Sequence, residues 1–189
     1  MNKTLTAALL VVSACSSHVQ AATKAQICIQ APRTAPDGRF EVNQNGTVKD
    51  LKTDLTWMRC LVGMKWDGTS CINEPLLQTW QPALQTVKNI NTNTKHYLYQ
   101  LGGVVEWRLP NIKELQSIHE SSCYQPAINE YAFPNIGKDI YSNASTVWSS
   151  TPAHWSKDLF VFGVGDGSVG RRDGSSAWAE YSMLLVANQ

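Results

Sequence analysis

The feature that most narrows what this chain can become is its set of cysteines behind an apolar N-terminal run. The 189 residues carry five, at positions 15, 28, 60, 71 and 123. Met1-Asn2-Lys3 is a short positive head, and Thr4 to Cys15 is mostly apolar yet too short to span a bilayer. Ser16 to Ala21 is polar, with Val19 and Ala21 where a signal peptidase reads small side chains. Residues 1–21 therefore read as a signal peptide cleaved after Ala21. A second reading stays open, because Val12-Ser13-Ala14-Cys15-Ser16 also resembles a lipoprotein box with Cys15 as the lipidated first residue. Both readings export the chain to the periplasm, the outer membrane or the medium. Both leave Cys28, Cys60, Cys71 and Cys123, an even set in an oxidising compartment.

Four cysteines allow three pairings. Cys60 and Cys71 are close, with Gly63 and Gly68 between them, so a local Cys60–Cys71 staple is the least demanding. Cys28–Cys123 would then tie the N-terminal segment to the middle of the chain. Loops of these lengths stabilise by about 3 and about 4.7 kcal/mol in the chain-entropy account. A structural metal site competes poorly, because there is no Cys-x-x-Cys pair and no His at ligand spacing.

Removing residues 1–21 takes away one basic residue, Lys3, and leaves 15 basic against 15 acidic side chains. A balanced chain lacks the basic surface that nucleic-acid binding needs. Seven Trp and 43% hydrophobic positions exclude an intrinsically disordered chain. No apolar stretch reaches about 18 residues, so no transmembrane segment is expected in the mature protein. Residues 22–38 read as a lead-in and 39–189 as one domain.

Arg39-Phe40-Glu41-Val42 alternates like a strand, and Asn45-Gly46 signals a hairpin with positive φ at both positions. Thr47-Val48 and Leu55 to Cys60 supply further strand, and Gly63 to Pro75 reads as a loop holding Trp66. Trp80, Ala83, Leu84, Val87 and Ile90 recur at helical spacing, so Thr79 to Ile90 is expected as an amphipathic helix. Pro82 is tolerated there in the first turn. Asn111 and Glu114 have capping-box spacing, ahead of an apolar face of Ile112, Leu115 and Ile118. Thr146 to Ser149, Leu159 to Val164 and Trp178 to Val186 read as strands, with Asp166-Gly167 and Asp173-Gly174 as turns. The order predicts an α+β domain in which N- and C-terminal strands pair.

Catalytic chemistry is hard to find. Gly165-Asp166-Gly167-Ser168-Val169-Gly170 spells a dinucleotide fingerprint, but no helix is expected after it, so a tight hairpin is the better reading. His119-Glu120 lacks a second His four residues on, and Ser149 and Ser150 sit in no nucleophile elbow. His96, His119 and His154 have no acid or base partner at readable spacing. Asp37, Asp67, Asp166 and Asp173 each neighbour Gly, which suits turns rather than paired catalytic carboxylates. No catalytic residue, metal ligand or cofactor is expected.

Several blocks together resemble one family. They are Gly46-Thr47-Val48 with Leu55 to Cys60, and Glu106-Trp107-Arg108-Leu109-Pro110-Asn111-Ile112-Lys113-Glu114-Leu115. Tyr124 to Asn129, Phe133-Pro134-Asn135 and Val147 to Pro152 complete the set. From about Cys28 to about Val186 the chain resembles the Legionella collagen-like protein C-terminal domain family. The resemblance implies an exported bacterial domain on a C-type-lectin-like scaffold, with two helices on short antiparallel sheets. For the best-known member it implies an adhesin that engages sulfated host glycans. Formylglycine-generating enzymes share the broader scaffold, but their chemistry needs a reactive cysteine pair.

Trp57, Trp107 and Trp148 read as core anchors able to hydrogen-bond their indole N–H groups, and Arg108 as a partner of backbone or carboxylate at the Pro110-Asn111 corner. The chain also departs from the pattern. Where the family often closes on an Arg-containing strand, Met183-Leu184-Leu185-Val186 carries no charge. Gln125-Pro126-Ala127 and Trp148-Ser149-Ser150 lack the carboxylates of calcium-dependent lectins, so sugar binding through calcium is not expected.

The chain is therefore expected to be a non-enzymatic, adhesin-like binding module for a glycan, in one version sulfated, or for a surface protein. The alternative is a structural or accessory subunit of a pilus or envelope assembly. Candidate ligand-binding residues are Trp155, Lys157, Arg171, Arg172 and Trp178, because exposed Trp stacks on sugar faces and paired Arg clamps sulfate or carboxylate. Against that, Arg171-Arg172 also suits a solvated loop, and Trp178 also suits inward packing.

Overall fold

The computed structural model describes residues 25–153 and 157–188; residues 1–21, read above as a signal peptide, with Cys15, and Trp155 lie outside them. Along the chain run β1 (Ile27–Cys28), β2 (Phe40–Val42), β3 (Thr47–Asp50), β4 (Leu55–Met58), β5 (Lys65–Trp66), β6 (Cys71–Ile72) and α1 (Trp80–Thr92). They are followed by α2 (Ile112–Ser117), β7 (Cys123–Tyr124), β8 (Thr146–Pro152), β9 (Asp158–Gly163), β10 (Val169–Asp173) and β11 (Val186–Asn188). The protein is α+β, with small antiparallel sheets in the orders β11-β4-β3-β2, β10-β9-β8, β1-β7 and β5-β6. The C-terminal β11 joins the N-terminal strands through β4, with Val186 opposite Trp57. β1 pairs instead with β7, placing Cys28 opposite Cys123.

Both expected disulfides form, Cys28–Cys123 across 95 residues and Cys60–Cys71 across 11. The second closes the segment expected as a plain loop, where the β5–β6 ribbon forms.

The core explains why residues 183–187 are apolar without interruption. Side chains alternate across extended backbone, and both faces of the central layer are covered. Trp57, Val147, Phe162, Leu184 and Val186 belong to one cluster, with Phe133, Leu115 and Ile118. Their chain neighbours Met58, Trp148, Val161, Met183 and Leu185 belong to a second, with Trp107 and Ile90. A charge on either face would be buried.

The expected strand Trp178 to Val186 is corrected: only Val186–Asn188 is a regular strand. The backbone before it is shared among several neighbours. Tyr181 exchanges bonds with Gln78, Ser182 bonds Thr146 and Trp148, and Met183 and Leu185 accept from Val62 and Met58. These contacts satisfy the segment without one continuous ladder partner.

Three further expectations are refined. The β2–β3 turn spans Asn43 to Gly46, and of Asn45-Gly46 only Gly46 has positive φ, +86°. Asn45 instead uses its Oδ1 to accept from Thr47 N–H at 3.1 Å and Thr47 Oγ1 at 2.7 Å. Helix α1 buries Ala83, Val87 and Ile90, but Leu84 is 38% exposed because it lies off that stripe. Trp57, Trp107 and Trp148 are all core, at 0–1% exposure. Only Trp148 donates its indole N–H, to Gln78 O at 2.8 Å; those of Trp57 and Trp107 make no hydrogen bond among the described residues.

The α2 capping box forms, with Asn111 Oδ1 accepting from Glu114 N–H at 2.9 Å and Glu114 Oε2 from Asn111 N–H at 2.7 Å. Arg108 donates to both Glu114 oxygens, at 2.8 and 2.7 Å, and to Asn188 Oδ1 at 2.6 Å, which locks this corner to β11. Burial raises the Glu114 carboxyl pKa, but Arg108 and the Asn111 N–H more than offset it and hold it below its ordinary value.

Two buried carboxylates fasten the N-terminal half. Asp50, fully buried, receives Arg39 Nε at 2.6 Å and Nη2 at 2.5 Å, while Arg39 Nη1 reaches Ser117 O at 2.7 Å. Glu120, also fully buried, accepts from Ala35 N–H at 2.9 Å, Thr34 N–H at 3.2 Å and Ser122 Oγ at 2.5 Å.

Candidate functional site

The Gly165 to Gly170 segment lies in the β9–β10 hairpin, and it leads into a strand rather than a helix. Gly163 N–H donates to Ser168 O at 2.8 Å and Gly167 N–H to Gly163 O at 2.7 Å, so the turn closes on itself. Gly167 has φ +76°, and a Cβ there would lie 2.1 Å from His119 Nε2. His119 is thus packed beneath this turn, edge-on to Phe162 at 6.1 Å.

β10 is the outer strand of its sheet, and its register sets Arg171 opposite Phe160 and Arg172 opposite Leu159. Arg172 Nε donates to Tyr181 Oη at 2.7 Å, with the guanidinium 5.7 Å from the Tyr181 ring centroid. Tyr181 packs edge-on against Trp148 at 5.2 Å, and Trp148 against Trp80 at 5.7 Å. Arg172 therefore rests on an aromatic row rooted in the core. Arg171 is exposed and makes no ion pair among the described residues.

After β10 the chain turns at Asp173, whose Oδ1 accepts from Ser175 Oγ at 2.6 Å and Ser175 N–H at 2.8 Å. Those bonds, with a smaller contribution from Lys157, lower the Asp173 carboxyl pKa. Gly174 N–H donates to Lys157 O at 3.0 Å, which ties this turn to the start of β9. Trp178 N–H donates to Ser176 Oγ at 3.2 Å, and the Trp178 side chain is 91% exposed. Inward packing of Trp178, one of the two sequence readings, is overturned: the turn carries it outward while Tyr181 fills the inner position. Lys157 is exposed and lines a shallow cleft of about 300 Å³ with Trp80, Pro152, Leu159 and Ser175.

Arg171 and Arg172 thus lie on β10, Trp178 beyond the turn that follows it, and Lys157 just before β9, where its carbonyl meets that turn. As neighbours on a regular strand the two arginines project to opposite faces of the sheet, Arg172 to the Tyr181 side and Arg171 to the other, so the structure does not bring them together as a pair. Trp155 lies outside the described residues. Asp158, Asp173 and Glu180 share the same segments, so the surface is mixed in charge rather than uniformly basic. The support from Tyr181 and Trp80 was missed in the sequence. No local signal reveals it, because only the return of residues 178–186 past α1 brings the two together.

The other candidate chemistry is spent on structure. Asp67 Oδ1 accepts from Thr69 and Ser70 N–H at 2.8 Å each, and Asp166 Oδ1 from Ser168 Oγ at 2.7 Å. Asp37 Oδ1 accepts from Asn129 Nδ2 at 2.7 Å. His96 Nδ1 accepts from Leu98 N–H at 3.1 Å, and burial lowers its pKa. Gln125-Pro126-Ala127 docks by backbone, with Gln125 N–H on Gly165 O at 2.7 Å and Ala127 N–H on Val164 O at 2.9 Å. Among the described residues no three His, Cys, Asp or Glu side chains gather where they could hold a metal. No helix there is long and apolar enough to cross a membrane.

Comparison with known proteins agrees with the blocks read from the sequence. The Lcl C-terminal domain profile matches residues 46–187, from the tip of the β2–β3 turn into β11. No curated protein sequence gives a match. The matched span holds the Cys60–Cys71 staple, both helices and the whole Lys157–Trp178 surface, while β1 and Cys28 precede it. On that coverage the chain belongs to the Lcl C-terminal domain family, a bacterial surface or extracellular module.

Proposed function

We propose that this protein is an exported, non-enzymatic binding module of adhesin type. It presents Lys157, Arg171, Arg172 and Trp178 to a glycan or a surface protein, and needs no calcium. A sulfated glycan is the sharpest version. The observation that carries the reading is Trp178, a side chain 91% exposed beside a strand edge bearing two exposed arginines. An indole held out in water forgoes the large burial a Trp can gain, and it offers a flat apolar face to a sugar ring. Two disulfides and membership of an extracellular family support export. Paired N- and C-terminal strands with two helices support the C-type-lectin-like scaffold.

The mature domain is expected to be retained on immobilised heparin at low salt. The Arg171→Ala/Arg172→Ala variant should elute at clearly lower salt, because each lost sulfate contact removes about one counterion-release unit from the salt dependence. No retention at low salt removes the sulfated-glycan version. The second reading, a subunit of a pilus or envelope assembly, is favoured by β10 as an outer strand that a partner strand could extend. It predicts one specific protein partner in an envelope pull-down and no glycan affinity.

A further inference from the structure

A second cleft lies at a different place in the fold. The tip of the β2–β3 turn, β5 and the Tyr97 to Leu101 loop enclose about 310 Å³, and none of Lys157, Arg171, Arg172 and Trp178 lines it. Its floor is apolar, with Met58, Leu61, Met64 and Leu98 at 7% exposure or less. Trp66 and Tyr97 supply the aromatic walls.

These walls are fixed in place. Trp66 Nε1 donates to Gln44 O at 2.9 Å, and Tyr97 Oη accepts from Gly63 N–H at 3.0 Å. Arg59 stacks on Trp66 with its guanidinium carbon 4.1 Å from the ring centroid. Arg59 is itself held by Ala132 O at 3.0 Å and Tyr131 O at 2.7 Å. The Cys60–Cys71 bond staples β6, the strand partner of β5. Both rings have therefore committed their polar atoms to the protein, and each has one face covered, Trp66 by Arg59 and Tyr97 by the His96 ring stacked at 4.9 Å, which leaves the opposite face of each for the cleft that both line.

Charge decides the ligand class. Among the described residues Lys65 is the only ionised side chain lining the cleft, and no Asp or Glu lines it. Lys65 is exposed, lies 5.8 Å from the Tyr97 ring centroid, and makes no ion pair among the described residues. A preformed apolar cleft with one convergent charged group is the usual form of a small-ligand site. From this we infer a second binding site, for an aromatic group carrying a carboxylate: the ring between Trp66 and Tyr97, the carboxylate on Lys65. A free aryl acid and a peptide ending in an aromatic residue share that chemistry.

Calorimetric titration of the mature protein with phenylacetate, N-acetyl-Gly-Phe and N-acetyl-Gly-Phe-amide tests it. At least one acid should bind, with quenching of Trp fluorescence. The amide should bind about tenfold or more weakly, because it forfeits the charge-assisted bond. Phenylacetate alone binding identifies a free acid as the ligand; the peptide acid alone binding identifies a chain terminus. Lys65→Met should bring the binding acid down to the neutral level while leaving the unfolding transition in place, since Lys65 is exposed. Arg171→Ala/Arg172→Ala should bind as wild type, which keeps this test separate from the heparin test. No binding by either acid, or equal binding of peptide acid and amide, overturns the inference.

Discussion

Replacing Cys28 and Cys123 together by alanine should lower the free energy of unfolding by about 4.7 kcal/mol, the chain-entropy value for a loop approaching 100 residues. The link spans 95 residues, and it joins two strands of only two residues each. Such a ribbon is too short to hold itself. Cys60→Ala/Cys71→Ala should cost about 3 kcal/mol through the same effect, because its loop spans only 11 residues. Cavity formation at Cys71, which is fully buried, adds to that second cost. The denaturant slope separates the two causes. Freeing a long loop lets the unfolded chain expand, so the urea m-value should rise clearly for the Cys28/Cys123 variant and little for the other. Equal slopes in both variants would contradict a contribution made through the unfolded state.

Arg39→Met should destabilise by about 3–5 kcal/mol in the same measurement, the usual result of leaving one partner of a buried ion pair alone. Asp50 would then be a fully buried carboxylate with its two guanidinium bonds gone. The Arg39→Met/Asp50→Leu double variant should recover part of the loss, because no uncompensated charge remains. The acid side of the stability curve checks the same chemistry. Burial raises the Asp50 carboxyl pKa, but bonds from Arg39, Thr53 and Lys52 outweigh it and leave it below its ordinary value. Burial likewise opposes the bonds to Glu120 from Ser122, Ala35 and Thr34, which bring its carboxyl from 4.5 down to about 2. A carboxyl lowered by folding stabilises fully above its unfolded pKa and loses that contribution as pH falls through the folded one. Stability should therefore decline between about pH 4.5 and about pH 2, and Glu120→Gln should flatten that decline.

What the sequence discloses is what neighbouring residues decide. The α2 cap needs only Asn111 and Glu114, three apart, and it forms as their spacing implies. The disulfides follow from parity and one short loop. Arg39 and Asp50 are invisible as a pair, because β2 and β3 must first pair to set the two chain ends side by side. Glu120 reads as a failed metal motif until Thr34 and Ala35, some 85 residues away, present their N–H groups to it. Trp178 has the same composition signal whether it faces in or out. Its exposure is settled by the Asp173–Ser176 turn and by Tyr181 filling the inner position against Trp148. The run at 183–187 looks like one strand because both faces are buried, a pattern that cannot show how its partners divide the backbone.

The indole N–H signals of the labelled mature protein, followed by two-dimensional NMR during titration with a heparin oligosaccharide, address the central claim most directly. A platform with buried tryptophans and a contact surface at the β10 edge predicts a shifted Trp178 signal, with Trp57, Trp107 and Trp148 unmoved. Movement of the core signals with Trp178 silent would contradict it, and no movement at any oligosaccharide concentration would remove its sulfated-glycan version.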